Sequence, residues 1–394
     1  MDFNPRLAPH MTRIPSNPIF SLLPKLNEPD FISFAAGAPD ADTFPRDDLK
    51  KILDDLMTLN PNELLQYGST EGYPQARRAM ARLISRYGLS PAPEEIFITT
   101  GGQQSIDIIC KLFIEPGDVV LVESPTYSAT LQILKSYRAH AISLKADGDG
   151  YLPEDLENKI KLFKPKFVYL IPTFKNPSGT TIGLERRKAA AEITGRLGVA
   201  LLEDDPYRDL RYSGKHLPTI KSFDKTGNII FLTSTSKILC PGLRVGAAYM
   251  PKNFAAQMTV AKQAADMHSS TLPQAIVSEF IERGLLEPHI EKLCGLYGKK
   301  LNIMKTAITE NFPASVKASD PKGGLFIWCT CPEGVNAATL LEQAVRRKVA
   351  YIPGEQFFSN GEGKNTFRMN FSNANLDDIA KGVAILGRVL REHV

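Results

Sequence analysis

The chain has 394 residues, of which 43% are hydrophobic and 23% are charged, and its 47 Lys and Arg outnumber its 43 Asp and Glu. This composition is typical of a globular protein with a sizeable core, and it excludes collagen, intrinsic disorder and small disulfide-rich scaffolds. The longest basic cluster is Arg346-Arg347-Lys348, so we expect no nucleic-acid partner.

No run in the sequence approaches the ~20 apolar residues of a membrane helix. The first residues lack the basic-then-apolar order of a signal peptide, so we expect a cytoplasmic protein. The cysteines are Cys110, Cys240, Cys294, Cys329 and Cys331. Their odd number and scatter favour reduced, buried thiols. Alternation along a strand explains the close pair Cys329 and Cys331, and we predict no metal site.

In chain order, the proline-rich residues 1–45 predict an extended arm followed by a strand. From about residue 95 to 244, short apolar runs alternate with helical patterns. The runs are 96–99, 119–122, 167–171, 199–202 and 229–232. Because they are apolar throughout, they predict strands that are buried on both faces, as in the stacked βαβ units of a mostly parallel sheet.

The pattern changes beyond residue 244. The elements predicted there are a strand at 245–250, long helices from about 254 to 312, strands at 324–329 and 366–371, a helix at 337–347 and a terminal helix from Leu376. The last of these elements suggest a small α+β domain. We therefore predict three parts: an arm with part of the small domain at 1–45, a large domain at 46–310 and a C-terminal small domain at 311–394.

Three common motifs are absent from the sequence: the G-x-x-x-x-G-K-[ST] phosphate loop, G-x-G-x-x-G after a strand, and H-E-x-x-H. Nucleotide hydrolysis, simple nicotinamide chemistry and zinc peptidase activity therefore lose most of their support. Polar segments instead follow the predicted strands, at the edge where open α/β sheets bind their ligands.

Four such segments stand out. Segment 101–105 (Gly-Gly-Gln-Gln-Ser) offers close backbone approach and a helix N-terminus for an anion, although a plain turn also explains it. Segment 176–179 (Asn-Pro-Ser-Gly) has an ordinary turn as its stronger interpretation. Segment 203–207 places three carboxylates together, so at least one is expected to face a cationic ligand group. A metal site is the alternative interpretation, and the absence of a nearby histidine makes it the weaker one. Segment 234–244 places hydroxyls, a lysine and an arginine around a Pro-Gly turn.

Together these segments supply a phosphate cradle, a carboxylate for a cationic ring nitrogen, a phenol, an amide and a lysine. Those are the parts that a pyridoxal phosphate site requires, with the lysine as Schiff-base partner.

With these motifs, nearly the whole sequence resembles the fold type I, class I and II aminotransferases, in particular the branch that contains 2-aminoadipate and kynurenine aminotransferases. The resemblance implies an α/β fold like that of aspartate aminotransferase, with a large, mostly parallel seven-stranded sheet and a small α+β domain. It implies a pyridoxal 5'-phosphate enzyme that moves the amino group between an L-amino acid and a 2-oxo acid such as 2-oxoglutarate, the amino acid being apolar, aromatic or aminoadipate-like. It further implies a homodimer with shared active sites.

The resemblance also implies residue roles. Lys237, in Ser-Thr-Ser-Lys, would hold the cofactor as an internal aldimine and carry the catalytic proton, while Asp204 would pair with the pyridine nitrogen. The other implied cofactor contacts are Tyr207 and Asn176 at the cofactor's O3′, Gly102, Gln103, Ser234, Ser236 and Arg244 at the phosphate, Tyr127 on the ring, and Tyr67 on the phosphate of the neighbouring subunit. Arg368, Gly37 and Asn176 would bind the substrate.

Two departures from the family pattern bear on the substrate and the cofactor. Phe20 stands where 2-aminoadipate-type relatives carry an arginine, which favours apolar or aromatic substrates unless Arg13 or another cation substitutes. Gly102 stands where relatives often have serine, which removes a hydroxyl and keeps the backbone donors.

Two alternatives to a transaminase remain. A β-lyase would share the scaffold and Lys237, and only the substrate pocket separates the two activities. Related domains also form the effector-binding halves of transcription regulators, behind a winged-helix domain. Because Gly37 comes within forty residues of the start, we expect no such domain here.

Overall fold

The computed structural model describes residues 8–12, 14 and 28–394. The strands are β1 Ile32–Ser33, β2 Ile96–Thr100, β3 Val119–Val122, β4 His140–Ser143, β5 Ala146–Asp147, β6 Gly150–Tyr151, β7 Phe167–Leu170, β8 Ala200–Asp204, β9 Ile229–Ser234, β10 Val245–Tyr249, β11 Lys317–Ala318, β12 Phe326–Thr330, β13 Val349–Ala350, β14 Ile352–Pro353 and β15 Thr366–Asn370. The helices are α1 Pro9–Thr12, α2 Arg46–Leu59, α3 Pro61–Leu65, α4 Pro74–Ser85, α5 Gly102–Phe113, α6 Ser128–Ser136, α7 Pro153–Phe163, α8 Leu184–Arg196, α9 Ala255–Gln263, α10 Thr271–Glu282, α11 Leu286–Asn311, α12 Ala337–Arg346 and α13 Leu376–His393. Over these described ranges, none of the helices is both long and apolar enough to cross a bilayer.

The large sheet has seven strands within the described ranges, in the order β2-β10-β9-β8-β7-β3-β4. Strand β10 runs antiparallel to both of its neighbours, and the other pairs are parallel. The predicted seven-stranded, mostly parallel sheet is therefore confirmed. The edge strand β4 was missed because it is only partly buried and His140 is exposed, so it lacks the continuous apolar run of a central strand.

Both faces of the large sheet are covered by helices. Alternate residues of one strand point to opposite faces, so Phe167 and Tyr169 of β7 pack on one side with α5, α6 and α9. Val168 and Leu170 pack on the other side with α7 and α8. Burial on both faces explains why the strand sequences are apolar at every position.

Parallel pairing brings the ends of β7, β8 and β9 to one edge of the sheet. Strand β2 ends at the same edge, because β10 lies between β2 and β9 and runs antiparallel to both. Strand β10 begins at that same edge, where Val245 pairs with Thr100 and Gly246 with Ser234. The polar segments that follow the strands therefore meet at this edge, as the sequence pattern predicts.

The C-terminal strands form a small antiparallel sheet in the order β11-β12-β15-β14. Strand β1 pairs in parallel with β13, with Ile32 opposite Val349, so an N-terminal strand joins the C-terminal part of the chain. Helices α11 and α13 pack against each other beside this sheet. The limits 1–45, 46–310 and 311–394 stay a prediction.

A buried ion pair fixes the segment that follows β7. Lys175 Nζ lies 2.9 Å from Glu123 Oε1, and their side chains are 3% and 0% exposed. Glu123 Oε2 also accepts a hydrogen bond from the Ile171 backbone N–H at 2.8 Å. The carboxylate thereby ties the end of β3 to the chain that leads to Asn176.

We expect Glu123→Ala to lower the free energy of unfolding by about 3–5 kcal/mol, because it leaves the Lys175 ammonium buried without a counterion. Urea denaturation measures the loss. The matched control is Glu185→Ala, which breaks the exposed pair with Lys188 and should cost less than about 1 kcal/mol. Equal losses in the two variants would contradict a structural role for the buried pair.

Candidate active site

A cavity of about 360 Å³ lies at the edge where the strands of the large sheet end. The predicted site residues that line it are Gly37, Gly102, Gln103, Tyr127, Asn176, Asp204, Tyr207, Ser234, Ser236, Lys237, Arg244 and Arg368. Tyr67 does not line it: its side chain is 80% exposed and its ring packs against His268. Phe20 and Arg13 lie outside the described residues.

One end of the cavity is built to hold an anion. Gly101 has a φ of +78° and precedes the first turn of α5, whose N–H groups have no acceptor within the helix. A Cβ on Gly101 would lie 2.5 Å from Arg244 Nη2, and a Cβ on Gly246 would lie 2.7 Å from Gly102 N. These glycines therefore let the guanidinium and the helix N-terminus approach each other closely. The Ser234 and Ser236 hydroxyls lie 2.9 Å apart in the same lining.

Asp204 is the carboxylate of segment 203–207 that lines the cavity. Successive side chains of a strand point to opposite faces, so the residues on either side of Asp204 point away from the cavity. Glu203 accepts hydrogen bonds from the backbone N–H groups of residues 220 and 221, and Asp205 pairs with Arg208 at 2.9 Å. Burial raises the pKa of Asp204 to about 7, although the Tyr169 hydroxyl donates a hydrogen bond to it at 2.7 Å. Since no cation among the described residues offsets this burial, the carboxyl suits a positively charged ligand group.

Lys237 enters the cavity just after the end of β9. Its Nζ donates a hydrogen bond to the Gly37 carbonyl oxygen at 2.8 Å. Burial, and then the charges of Arg368 and Arg244, lower the pKa of Lys237 to about 8. About a tenth of the amine is therefore neutral at pH 7, far more than for an ordinary lysine, and a neutral amine is a nucleophile.

Arg368 reaches the cavity from β15 of the small sheet. Its Nη1 donates to Asn176 Oδ1 at 2.8 Å and its Nη2 to the Ala35 carbonyl oxygen at 2.7 Å. The guanidinium lies over the ring of Phe326, 4.3 Å from its centroid, and its buried Nε has no partner within the described ranges. Burial lowers the pKa of Arg368 to about 10, so the group stays charged at neutral pH and suits a carboxylate.

Two aromatic side chains complete the lining. Tyr127 precedes α6 and Tyr207 follows β8, and burial raises the pKa of both phenols. Both therefore stay protonated at neutral pH and present O–H groups. Tyr207 also contacts Phe326, with ring centroids 5.8 Å apart.

Some lining residues were missed in the sequence: Ile106, Ser128, Ala129, Gln132, Ile171, Pro206, Pro241, Gln356 and Phe357. Phe357 lies in a 3-10 helix between β14 and β15, 5.2 Å from the Arg368 guanidinium, and its carbonyl accepts a hydrogen bond from Thr126 N–H. No motif marks it, because packing of the small sheet brings it to the site. Ile106 could have been predicted, because it is an apolar residue in the first turns of the helix that follows the double glycine.

The cavity thus contains an anion-binding turn, a buried carboxyl without a cation, an amine with a lowered pKa and a second guanidinium. This donor set fits pyridoxal phosphate, which has a phosphate, a basic ring nitrogen and an aldehyde, together with a substrate carboxylate.

Comparisons with known proteins show the family of this chain. The family model described as aminotransferase class I and II matches residues 29–386. The aromatic-amino-acid aminotransferase 1 of Thermococcus litoralis is 36% identical and aligns with 100% of this chain and 96% of its own. The 2-aminoadipate transaminase of Thermus thermophilus is 34% identical, over 96% of this chain and 95% of its own.

The solved structures agree as well. The kynurenine aminotransferase of Pyrococcus horikoshii, described in complex with PMP, superposes with a TM-score of 0.94 at 36% identity, over 98% of this chain and 97% of that one. Fold and site together define a pyridoxal phosphate enzyme of the aspartate aminotransferase-like fold. The chain belongs to the class I and II aminotransferases. These relatives are transaminases, and nothing in the comparisons supports the β-lyase alternative.

We expect Asp204→Asn to stabilise the cofactor-free protein above pH 7. Because the folded pKa of about 7 exceeds the ordinary 3.8, the folded state binds more protons than the unfolded chain between these values, and stability falls as the pH rises through them. The amide cannot ionise and avoids this loss. Urea denaturation at several pH values should show the largest difference at pH 8 and none near pH 4.

The control for this prediction is Asp147→Asn. The hydrogen bond from Arg186 lowers the pKa of the exposed Asp147 to about 2, so its removal should slightly destabilise the protein at pH 8, the opposite sign. An Asp204→Asn protein that is less stable than the wild type at pH 8 would contradict the burial of an unpaired charge.

Proposed function

We propose that this aminotransferase takes its amino group from L-amino acids with apolar or aromatic side chains, and passes it to a 2-oxo acid such as 2-oxoglutarate. The observation that carries the proposal is the convergence of Lys237, Asp204 and Arg368 on one cavity. We assign Lys237 as the catalytic residue, Asp204 to the ring nitrogen of the cofactor, and Arg368 to the substrate α-carboxylate.

The charges around the cavity support the substrate class. The cations that line it within the described ranges are Lys237, Arg244 and Arg368. Each has a role at the amine, the phosphate or the α-carboxylate, so no lining cation among the described residues is left for a carboxylate on the substrate side chain. Similarity to the aromatic-amino-acid aminotransferase agrees with this choice, whereas the 2-aminoadipate relative makes the dicarboxylate the alternative.

Lys237, Arg368 and Asp204 each have a separate role in this reaction. The Lys237 amine, with its pKa near 8, is suited to take a proton from the substrate Cα and return it during each half-reaction. Arg368 can hold the α-carboxylate by two N–H groups, which orients the Cα hydrogen, once the carbonyl and amide oxygens that now accept from it give way. Asp204, when ionised, holds a proton on the ring nitrogen. Bound pyridoxal phosphate supplies the electron sink for the electron pair that Cα proton loss leaves behind.

The remaining lining residues bind and orient the cofactor in this proposal. Gly102, Gln103, Ser234, Ser236 and Arg244 hold its phosphate. Asn176 and Tyr207 donate to its phenolic oxygen, and Tyr127 stacks on its ring, with Gly37 closing over the substrate carboxylate. The position of these residues in one cavity lining supports the assignment.

We propose further that the active unit is a cytoplasmic homodimer with shared sites. Tyr67 is 80% exposed, and the apolar residues Leu65 and Met267 near it are 67% and 54% exposed. Exposed apolar side chains around a tyrosine suit a contact with a second copy of the chain. All the cysteines lie in the described ranges and are free thiols, which suits a reducing compartment.

Absorption spectra test the proposed substrates. Single amino acids are added to the cofactor-loaded protein without an oxo acid. We expect phenylalanine, tyrosine and leucine to convert the cofactor to pyridoxamine phosphate, and 2-oxoglutarate to convert it back. Lys237→Ala should slow the conversion by about 10²–10⁴-fold, because the proton carrier is gone.

Two results would count against the proposal. Conversion by 2-aminoadipate but not by aromatic amino acids would overturn the substrate class. Release of ammonia or a cleaved product, with the original spectrum restored, would replace transamination by β-elimination.

Arg368→Lys should raise KM about 10–100-fold for every amino acid, because lysine cannot make the paired N–H contacts to the α-carboxylate. Steady-state kinetics with several amino acids measures this. The control is Arg347→Lys at the exposed pair with Glu392, which should leave KM unchanged. A KM change confined to one amino acid would mean that Arg368 binds the side chain instead.

A further inference from the structure

Tyr67 projects from the surface, and its main ring contact is a histidine. The Tyr67 and His268 rings are nearly perpendicular, at 81°, with their centroids 5.8 Å apart. Tyr67 follows α3, whereas His268 lies in the loop 264–270 between α9 and α10. This contact therefore fixes the tyrosine from a second segment of the chain.

The hydrogen bonds of His268 select one form of its ring. The Gly68 backbone N–H can only donate, and it lies 3.2 Å from Nε2, so Nε2 must be the acceptor. The Ser269 carbonyl oxygen can only accept, and it lies 2.8 Å from Nδ1, so Nδ1 carries the proton. In this arrangement Nδ1 donates to the Ser269 carbonyl oxygen and Nε2 accepts from the Gly68 N–H.

Gly68 allows this close contact. A Cβ on Gly68 would lie 2.7 Å from Thr271 Oγ1 and 3.6 Å from His268 Nδ1. A side chain at this position would clash with Thr271, the first residue of α10, and would push the chain away from the end of the loop that carries His268. The backbone next to Tyr67 is thus held against His268 by both a hydrogen bond and steric fit.

The loop 264–270 is in turn fixed to the anion-binding turn of the active site. Lys262 is 0% exposed, and its Nζ donates to Asp266 at 2.8 Å, Gln104 Oε1 at 2.8 Å and Ser269 Oγ at 3.0 Å. Gln104 belongs to the first turn of α5. Its Oε1 accepts from the Thr100 N–H at 2.7 Å and its Nε2 donates to Asp266 at 2.6 Å. This saturated network leaves the loop little freedom to shift relative to α5.

We infer that His268 is a positioning residue that holds Tyr67 in the orientation in which it meets the cofactor phosphate of a second subunit. The inference rests on the proposed homodimer with shared sites. The Lys262 network connects His268 to the phosphate-binding turn of its own subunit. Each subunit's own turn thereby sets the position of the tyrosine that it offers to its partner.

A double-mutant cycle tests this inference. The dissociation constant of pyridoxal phosphate is measured by spectral titration for the wild type, Tyr67→Phe, His268→Ala and the double variant. We expect each single variant to bind the cofactor about tenfold more weakly, through loss of one hydrogen bond to the phosphate. The double variant should be no weaker than Tyr67→Phe, because His268 acts through the tyrosine.

Two conservative variants separate the contacts of the imidazole. His268→Gln places an amide oxygen where Nε2 was and should restore most of the affinity. Asparagine is too short to reach the Gly68 N–H, so His268→Asn should behave like His268→Ala. If the alanine variant does not fold, His268→Asn takes its place in the cycle. The control is His140→Ala, on the exposed edge strand β4, which should bind like the wild type.

The outcomes discriminate between this inference and the proposal beneath it. If His268→Ala weakens cofactor binding equally in the Tyr67→Phe background and in the wild type, His268 does not act through Tyr67. The same conclusion follows if His268→Ala does not weaken binding in the wild type. If Tyr67→Phe binds the cofactor like the wild type, this inference and the shared site fall together. A Tyr67→Phe defect without a His268 effect would overturn this inference alone.

Discussion

The antiparallel pairing of β10 between β2 and β9 is the interaction on which the rest of the active site depends. It places Val245 opposite Thr100 and Gly246 opposite Ser234. The residue before β10, Arg244, therefore meets the glycine turn after β2 and the hydroxyls after β9. In a fully parallel sheet, the chain entering this strand would lie at the opposite edge, and the guanidinium would be a strand length away from the anion-binding turn.

Burial shifts the pKa values of the site's ionisable groups and also destabilises their charged forms. Burial, and then the charges of Arg368 and Arg244, lower the pKa of Lys237, while burial raises the pKa of Asp204 and lowers that of Arg368. Lys237, Asp204 and Arg368 are therefore each less stable in the charged form here than in water. A ligand with a phosphate, a cationic ring nitrogen and a carboxylate brings an opposite charge to each of the buried charges. The charges that destabilise the cofactor-free protein therefore favour binding of cofactor and substrate.

Residues just outside the cavity lining support it through polar contacts. Glu123 and Lys175 fix the segment that carries Asn176, and Asn176 in turn accepts a hydrogen bond from Arg368 of the small sheet. The Lys262 network fixes the other side, between α5 and the loop that contacts Tyr67. The ammonium groups of Lys175 and Lys262 are both buried and paired with a carboxylate, which keeps the reactive groups in one arrangement.

The sequence by itself determined the central strands and the chemistry of the segments after them. Runs that are apolar throughout must be buried on both faces, and the ends of such strands carry the ligand groups. Only the tertiary structure decided which carboxylate of segment 203–207 enters the cavity, that β4 forms the edge, and that Phe357 and Ala35 meet Arg368. These features depend on contacts between residues far apart in the chain, and no local pattern of polarity or periodicity encodes such contacts.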